Sequence, residues 1–139
     1  MNWIFIVHIF TSFFMCGLCW FVQIVHYPLF LAIRTEDFPV YEQKNFVTAY
    51  VTVPTMVVEL LTGLYLLYQH QELLYYLNVA LLVIIGLSTA IFQVPMHLKL
   101  MKEADVPLIH KLIKTNWIRT IAWTLRAIIL FQLMNLAMA

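Results

Sequence analysis

Four long apolar segments dominate this chain of 139 residues, at about residues 2–31, 48–68, 73–98 and 115–137. A helix needs about 20 apolar residues to cross the hydrocarbon core of a bilayer, so each segment is long enough to span a membrane. A soluble domain with 63% hydrophobic and only 11% charged residues would expose large apolar patches and aggregate. The sequence therefore predicts a single domain, an all-α integral membrane protein with four spanning helices in a bundle.

The basic residues predict how this bundle is oriented. Seven of them lie at or near one side of the membrane: Arg34, Lys44, Lys99, Lys102, Lys111, Lys114 and Arg119. The other side, which holds both termini, has no Lys or Arg. Because cytoplasmic loops carry an excess of Lys and Arg, we expect the basic loops in the cytoplasm and both the N-terminus and the C-terminus outside.

The connections are short. Residues 34–47 mix charges with aromatic side chains, as expected of an interfacial helix or loop. Residues 69–72 leave room only for an antiparallel hairpin. Segments one and three both end in Gln, His and Pro, although at different spacings, which leaves a duplicated hairpin open.

The fourth segment carries a polar stripe. Its members share one helical face at i, i+3, i+4 and i+7 spacing: Asn116, Arg119, Thr120, Trp123 and Arg126. Ionisable side chains inside a membrane face the interior of a bundle and not the lipid. Glu59 lies at about the same depth as Arg126, roughly 16 Å from the basic side. We therefore expect the two to form a buried pair; the alternative is a protonated Glu59 bonded to a threonine, with Arg126 bonded to backbone carbonyls.

Further polar side chains are expected near the basic side, around a pocket with the Glu59–Arg126 pair as its floor. The predicted ligand-binding residues are Gln23, His26, Tyr27, Glu59, Gln93, His97, Asn116, Arg119, Trp123 and Arg126. Pro28, Pro54 and Pro95 lie at the same end, and each removes a helical hydrogen bond. Carbonyls freed in this way are tolerated where protein or a water-filled cavity supplies partners.

The histidines leave two interpretations open. His26 and His97 lie at similar depth and could ligate a metal or serve as axial ligands of a haem. The absence of an HExxH or Glu-x-x-His pattern favours the other interpretation, in which each is an interfacial histidine bonded to backbone or water. His8 lies near the terminal side, and we expect it at the membrane interface.

Several of these motifs resemble those of small four-span bacterial membrane proteins of unknown function, which are similar in turn to the anthrone-oxygenase-like family. The motifs are His-Tyr-Pro at 26–28, Pro54 with Glu59, Gln-Val-Pro-Met-His at 93–97, and Asn-Trp-Ile-Arg-Thr with Trp-Thr-Leu-Arg within 116–126. The resemblance covers nearly the whole chain and implies a four-helix bundle in a bacterial inner membrane. It also implies oxidation of a polycyclic anthrone to a quinone, with His26 and His97 as acid–base candidates and Arg119 beside an enolate oxygen.

Three functions therefore remain open. The pocket could bind a small anionic or quinone-like amphiphile, held by Arg119 and the histidines. The protein could instead be a membrane oxidoreductase or oxygenase acting on a lipophilic aromatic substrate. In the third interpretation the polar stripes only join the helices. The lipid bilayer is a partner in every case and oligomerisation stays open, whereas a net charge of +1 gives no reason to expect nucleic acid.

Overall fold

The computed structural model describes residues 2–138, which form four long helices joined by short connections. The helices are α1 (Trp3–Ala32), α2 (Phe38–His70), α3 (Leu73–Leu100) and α4 (Val106–Met138). Each is long and apolar enough to cross a membrane. They pack in a ring in which α1 contacts α2, α2 contacts α3, α3 contacts α4 and α4 contacts α1. The prediction of an all-α four-helix membrane bundle is confirmed.

Two helices begin well before the corresponding apolar segments. The first part of α2, Phe38–Asn45, is α-helical and continues through the 3-10 turn Phe46–Thr48 into Ala49–His70. The first turn of α4 is capped by Asp105, whose carboxylate accepts a hydrogen bond from the Leu108 N–H at 3.0 Å. A helix can extend beyond the membrane that it crosses, so the ends of these helices do not define where each span begins and ends. The predicted limits of the spans stay predictions.

The connection between α2 and α3 is a tight hairpin. Gln71 has a φ of 48° and ψ of 32°, a left-handed conformation that ends α2, and its N–H bonds the Leu67 carbonyl. This conformation reverses the chain in the manner of a helix C-cap, usually at glycine or asparagine. Only Gln71 and Glu72 separate the end of α2 from the start of α3. Because the connection is this short, the two helices run antiparallel.

Helices α1 and α3 each contain one π-helical turn, at Val22–His26 and Thr89–Gln93. In each case a proline lies two residues beyond the turn, Pro28 or Pro95. It has no N–H to donate and would clash with the carbonyl four residues earlier in a regular α-helix. The wider turn relieves this conflict, and such turns occur often at functional sites.

Corresponding features recur at one separation in the two halves of the chain, a helix with a π turn followed by a 33-residue helix. Pro28 and Pro95 are 67 positions apart, and the same separation joins Glu59 to Arg126. Each half has a helix with a π turn, and α2 and α4 have 33 residues each. At this separation His26 corresponds to Gln93, so the histidines of the two Gln, His and Pro motifs do not correspond to each other. Parallel repeats of this kind are known in membrane transporters.

The interior has three apolar clusters along the bundle axis. The cluster nearest the connections 33–37 and 101–105 is centred on Phe30, Leu100 and Leu112. The central cluster contains Met15 and Trp123, and the third, near the termini, contains Leu66. Many other large apolar side chains are exposed on the outer surface, as expected of helices in lipid. We refer below to the basic side, with connections 33–37 and 101–105, and the terminal side, with both chain ends.

The orientation of the bundle in the membrane is testable with fusions at three positions. We expect a fluorescent protein to fold and fluoresce when it is inserted within residues 101–105, because the positive-inside rule places this connection in the cytoplasm. A periplasmic phosphatase reporter should be active when it is fused at either terminus. Active phosphatase at residues 101–105, with inactive phosphatase at both ends, would reverse the predicted orientation.

Candidate functional site

A buried ion pair joins all four helices in the terminal half. The Arg126 guanidinium on α4 donates through Nη1 to a carboxylate oxygen of Glu59 on α2, and both side chains are fully buried. Its Nε donates to the Asn78 side-chain oxygen on α3 at 3.0 Å, and its Nη2 donates to the Ser12 hydroxyl on α1 at 3.2 Å. The predicted Glu59–Arg126 pair is confirmed. A charge that is both paired and hydrogen-bonded is the form in which ions persist in an apolar interior.

His8 belongs to the same network, so its predicted interfacial position is wrong. The ring is fully buried; its Nε2 lies 2.9 Å from the Asn78 amide nitrogen, and its Nδ1 lies 2.7 Å from the Thr62 hydroxyl. Since Nε2 faces an N–H donor, it accepts, and the proton is on Nδ1. Gly63 makes room for this ring, because a Cβ there would lie 3.1 Å from the His8 Cε1.

A second polar contact joins α1 to α4 nearer the basic side. The Gln23 side-chain oxygen accepts from the Asn116 amide at 3.0 Å and from the Thr120 hydroxyl at 3.3 Å. The Gln23 amide donates to the Ile113 carbonyl at 3.1 Å. Gln23 and Asn116 are both buried. The Gln23 side chain therefore uses both its oxygen and its amide between helices, whereas the Asn116 side-chain oxygen is buried without a hydrogen-bond partner.

A cavity of about 280 Å³ lies in the basic half, between α1, α2 and α3. It exists because α2 has no buried residue between Ala49 and Val58, whereas Glu59, Gly63 and Leu66 are buried further along. The first half of this helix therefore stands away from its neighbours. Five of the predicted site residues line the cavity: His26, Tyr27, Gln93, His97 and Arg119.

One wall of the cavity carries a chain of hydrogen bonds across three helices. The Glu42 carboxylate on α2 is fully buried and bonds Nδ1 of His97 on α3. Nε2 of His97 lies 2.9 Å from the Tyr27 hydroxyl on α1, which also lies 3.3 Å from the Gln93 side-chain oxygen. A carboxylate, an imidazole and a phenol in sequence can hold and exchange a proton along the cavity wall.

Glu42 is the cavity residue that sequence reasoning missed, since the segment 34–47 was interpreted as interfacial. The helical spacing of the residues around Glu42 could have indicated that this side chain faces inward. Phe38, Glu42 and Asn45 follow one another at i+4 and i+3, and Phe38 and Glu42 are both buried. The same helical face continues along α2 through Ala49, Thr52 and Met56, which line the cavity, to the buried Glu59.

The histidines do not fit a pair of axial haem ligands. Both ring nitrogens of His97 are bonded, to Glu42 and Tyr27, and Nε2 of His26 lies 2.9 Å from the Asn45 side-chain oxygen. Ligation of iron through Nε2 would break one of these bonds at each ring. Within residues 2–138, no three His, Cys, Asp or Glu side chains are grouped so that they could hold a metal ion.

Arg119 is the unusual residue of the cavity. Arg119 is only 9% exposed, and its Nε is buried without a hydrogen-bond partner. Within residues 2–138, its side chain makes no ion pair. Arg126, two turns further along the same face of α4, has its charge compensated by Glu59. An uncompensated guanidinium at low dielectric strongly favours an anion or another good acceptor beside it.

The other predicted site residues lie outside the cavity wall. They are Gln23, Glu59, Asn116, Trp123 and Arg126. The Trp123 ring packs against the Arg126 guanidinium, 4.6 Å from ring centroid to Cζ, within the apolar cluster at the centre of the bundle. The sequence predicted that the Glu59–Arg126 pair forms the floor of the cavity. This prediction is wrong, because the packed layer around Trp123 lies between the ion pair and the cavity.

No family model, curated protein or solved structure matches this chain. The resemblance to the anthrone-oxygenase-like family therefore stays a prediction.

The ion pair should dominate the stability of the bundle. We expect Glu59→Ala to lower the free energy of unfolding by about 3–5 kcal/mol, because it leaves Arg126 buried without its counter-ion. Thermal unfolding in detergent, followed by circular dichroism, measures the effect. The double variant Glu59→Leu/Arg126→Met should recover part of the loss, since it removes both charges.

The matched control is the Arg34–Glu36 ion pair, whose side chains are 76% and 64% exposed. Glu36→Ala should change stability by less than about 1 kcal/mol, because water already screens this pair. Equal losses of stability for Glu36→Ala and Glu59→Ala would show that burial does not determine how much the Glu59–Arg126 pair contributes to stability.

Proposed function

We propose that the cavity binds a small amphiphile whose acidic or quinone-like head group pairs with Arg119. The observation that carries this proposal is the buried guanidinium with an unpartnered Nε at the cavity wall. A ligand oxygen there would supply the missing acceptor. The rest of the wall suits an amphiphile, since Leu18, Val22 and Met56 are apolar.

The charges around the cavity favour a head group with a single negative charge. The carboxylate of Glu42 is bonded to His97, so this wall already has its acceptor and donor matched. Within residues 2–138, Arg119 has no carboxylate partner. One carboxylate, phenolate or enolate would balance it, and a neutral quinone oxygen could accept its hydrogen bond without balancing the charge.

The test is the ligand that co-purifies with the protein in mild detergent. Mass spectrometry of the solvent extract should find an acidic or quinone-like lipid at near one equivalent. In Arg119→Gln the bound amount should fall about 10–100-fold, because a hydrogen bond to a charged group contributes about 1.5–3 kcal/mol.

Arg34→Gln serves as the control, since Arg34 is exposed at the basic side and lies outside the cavity. It makes the same chemical change without touching the wall. An Arg119→Gln protein that retains as much ligand as Arg34→Gln would contradict the proposal.

A second candidate is an oxygenase acting on a lipophilic aromatic substrate, favoured by the Glu42–His97–Tyr27 chain at the cavity wall. For an anthrone, the substrate implied by the family resemblance, His97 would accept the proton from the ring carbon. Arg119 would stabilise the enolate oxygen. Oxidation by dioxygen then balances as one anthrone and one O₂ giving one anthraquinone and one water.

This candidate predicts oxygen consumption when anthrone is added to the purified protein, matched by quinone absorbance. General acid–base catalysis contributes about 10²–10⁴-fold, so His97→Gln should lower the rate by a factor in this range. His110→Gln is the control, because His110 is exposed at the basic side. A rate no faster than that of buffer with detergent, or one unchanged in His97→Gln, would exclude this role for His97.

A further inference from the structure

The cavity reaches the outer surface of the bundle beside α2. Val51 and Val53 lie on opposite edges of the helix face that lines the cavity, and each is 51% exposed. Across from them, Phe21 on α1 and Val94 on α3 also line the cavity and are also exposed. The same apolar side chains thus belong to the cavity wall and to the surface that faces lipid.

Arg119 and this opening lie at the same depth. Counted along the helices from the terminal side at about 1.5 Å per residue, Phe21, Val53 and Arg119 all lie roughly 25–29 Å in. The hydrocarbon core of a bilayer is about 30 Å thick, so this level is close to its boundary on the basic side. Acidic lipid head groups reside at this boundary. A lipid could therefore move sideways to Arg119 without changing its depth.

We propose that the ligand is a single-chain lipid with a monoanionic head, of the fatty-acid class, which enters from the leaflet on the basic side through the opening beside α2. Its head pairs with Arg119, and its hydrocarbon tail remains in the opening and in the bilayer. This inference rests on the proposed function and adds to it the source and chemical class of the ligand.

The size and chemistry of the cavity favour this occupant over a water-soluble anion. Pockets that enclose a drug-sized molecule have volumes of about 300–1,000 Å³, so about 280 Å³ would not contain a whole long-chain lipid. A head group and the first methylenes fit such a volume, provided that the tail can leave. A small hydrophilic anion would gain nothing from the exposed valines at the opening.

The experiment uses the full-length protein in phosphatidylcholine vesicles, with a long-chain fatty acid that carries a diazirine near its carboxylate as the probe. After irradiation, mass spectrometry should find labelled peptides from α1 around Phe21 and from α2 around Val53. Excess palmitic acid should abolish this labelling, whereas excess benzoate should not. Competition by benzoate at equal aqueous concentration would overturn lateral access by a tailed lipid.

Val53→Trp tests the opening directly, because a larger side chain at its edge should lower labelling at least fivefold. Val83→Trp is the matched control, since Val83 is 49% exposed on α3 and lies outside the cavity. Both changes place the same residue on a lipid-facing surface. Equal labelling of the two variants at the wild-type level would overturn the proposed opening.

Two outcomes separate this inference from the proposed function. If benzoate competes and Arg119→Gln abolishes labelling, the anion site stands and the lateral opening fails. If the methyl ester of the probe labels the same peptides as strongly as the acid, and Arg119→Gln has no effect, the opening stands and the anion site fails.

Discussion

The bundle depends on one arginine that must be neutralised far from water. Arg126 satisfies its guanidinium with one residue from each of the other helices, Glu59, Asn78 and Ser12. Lipid offers no competing donors or acceptors, so these partners are available only when all four helices are in place. The terminal half is consequently specified by a polar contact and packed by the apolar clusters around it. Association of this kind needs no hydrophobic force between helices, which the bilayer does not supply.

The basic half follows a different principle. There α1 and α4 are joined by Gln23 and Asn116, while α2 leaves a gap before Glu59. A comparison of the two hairpins makes this difference visible, because α4 takes the place in the second hairpin that α2 takes in the first and has buried residues along its whole length. Arg119 on α4 corresponds to Thr52 on α2, 67 positions earlier, and both line the cavity. The two matching hairpins thus differ, since the second helix of one leaves the cavity open and that of the other is packed along its length.

Sequence reasoning identified the features that follow from burial of charge. Glu59 and Arg126 could be paired because both are ionisable, lie at matching depth and cannot face lipid singly. His26, Tyr27, Gln93, His97 and Arg119 were assigned to one pocket for the same reason, and they do line one cavity.

Two residues were misassigned, for different reasons. His8 depends on the space left by Gly63, which no periodicity reveals, and Glu42 lies in a segment whose mixed charges are equally typical of an interfacial loop. The cavity itself depends on the course of α2, which apolar spacing does not determine.

The π turn in α3 determines which side chains this helix presents to the cavity. Along the inward face the buried positions advance by three, from Leu82 to Ile85 to Ser88, and then by five, to Gln93. A helix with regular turns would bring Phe92 inward instead, and a polar wall would become an aromatic one. One additional residue in a single turn is therefore enough to change the chemistry of the cavity, while the ion pair on the terminal side keeps its register. Insertions and deletions at this turn offer such a protein a simple route to a different cavity lining.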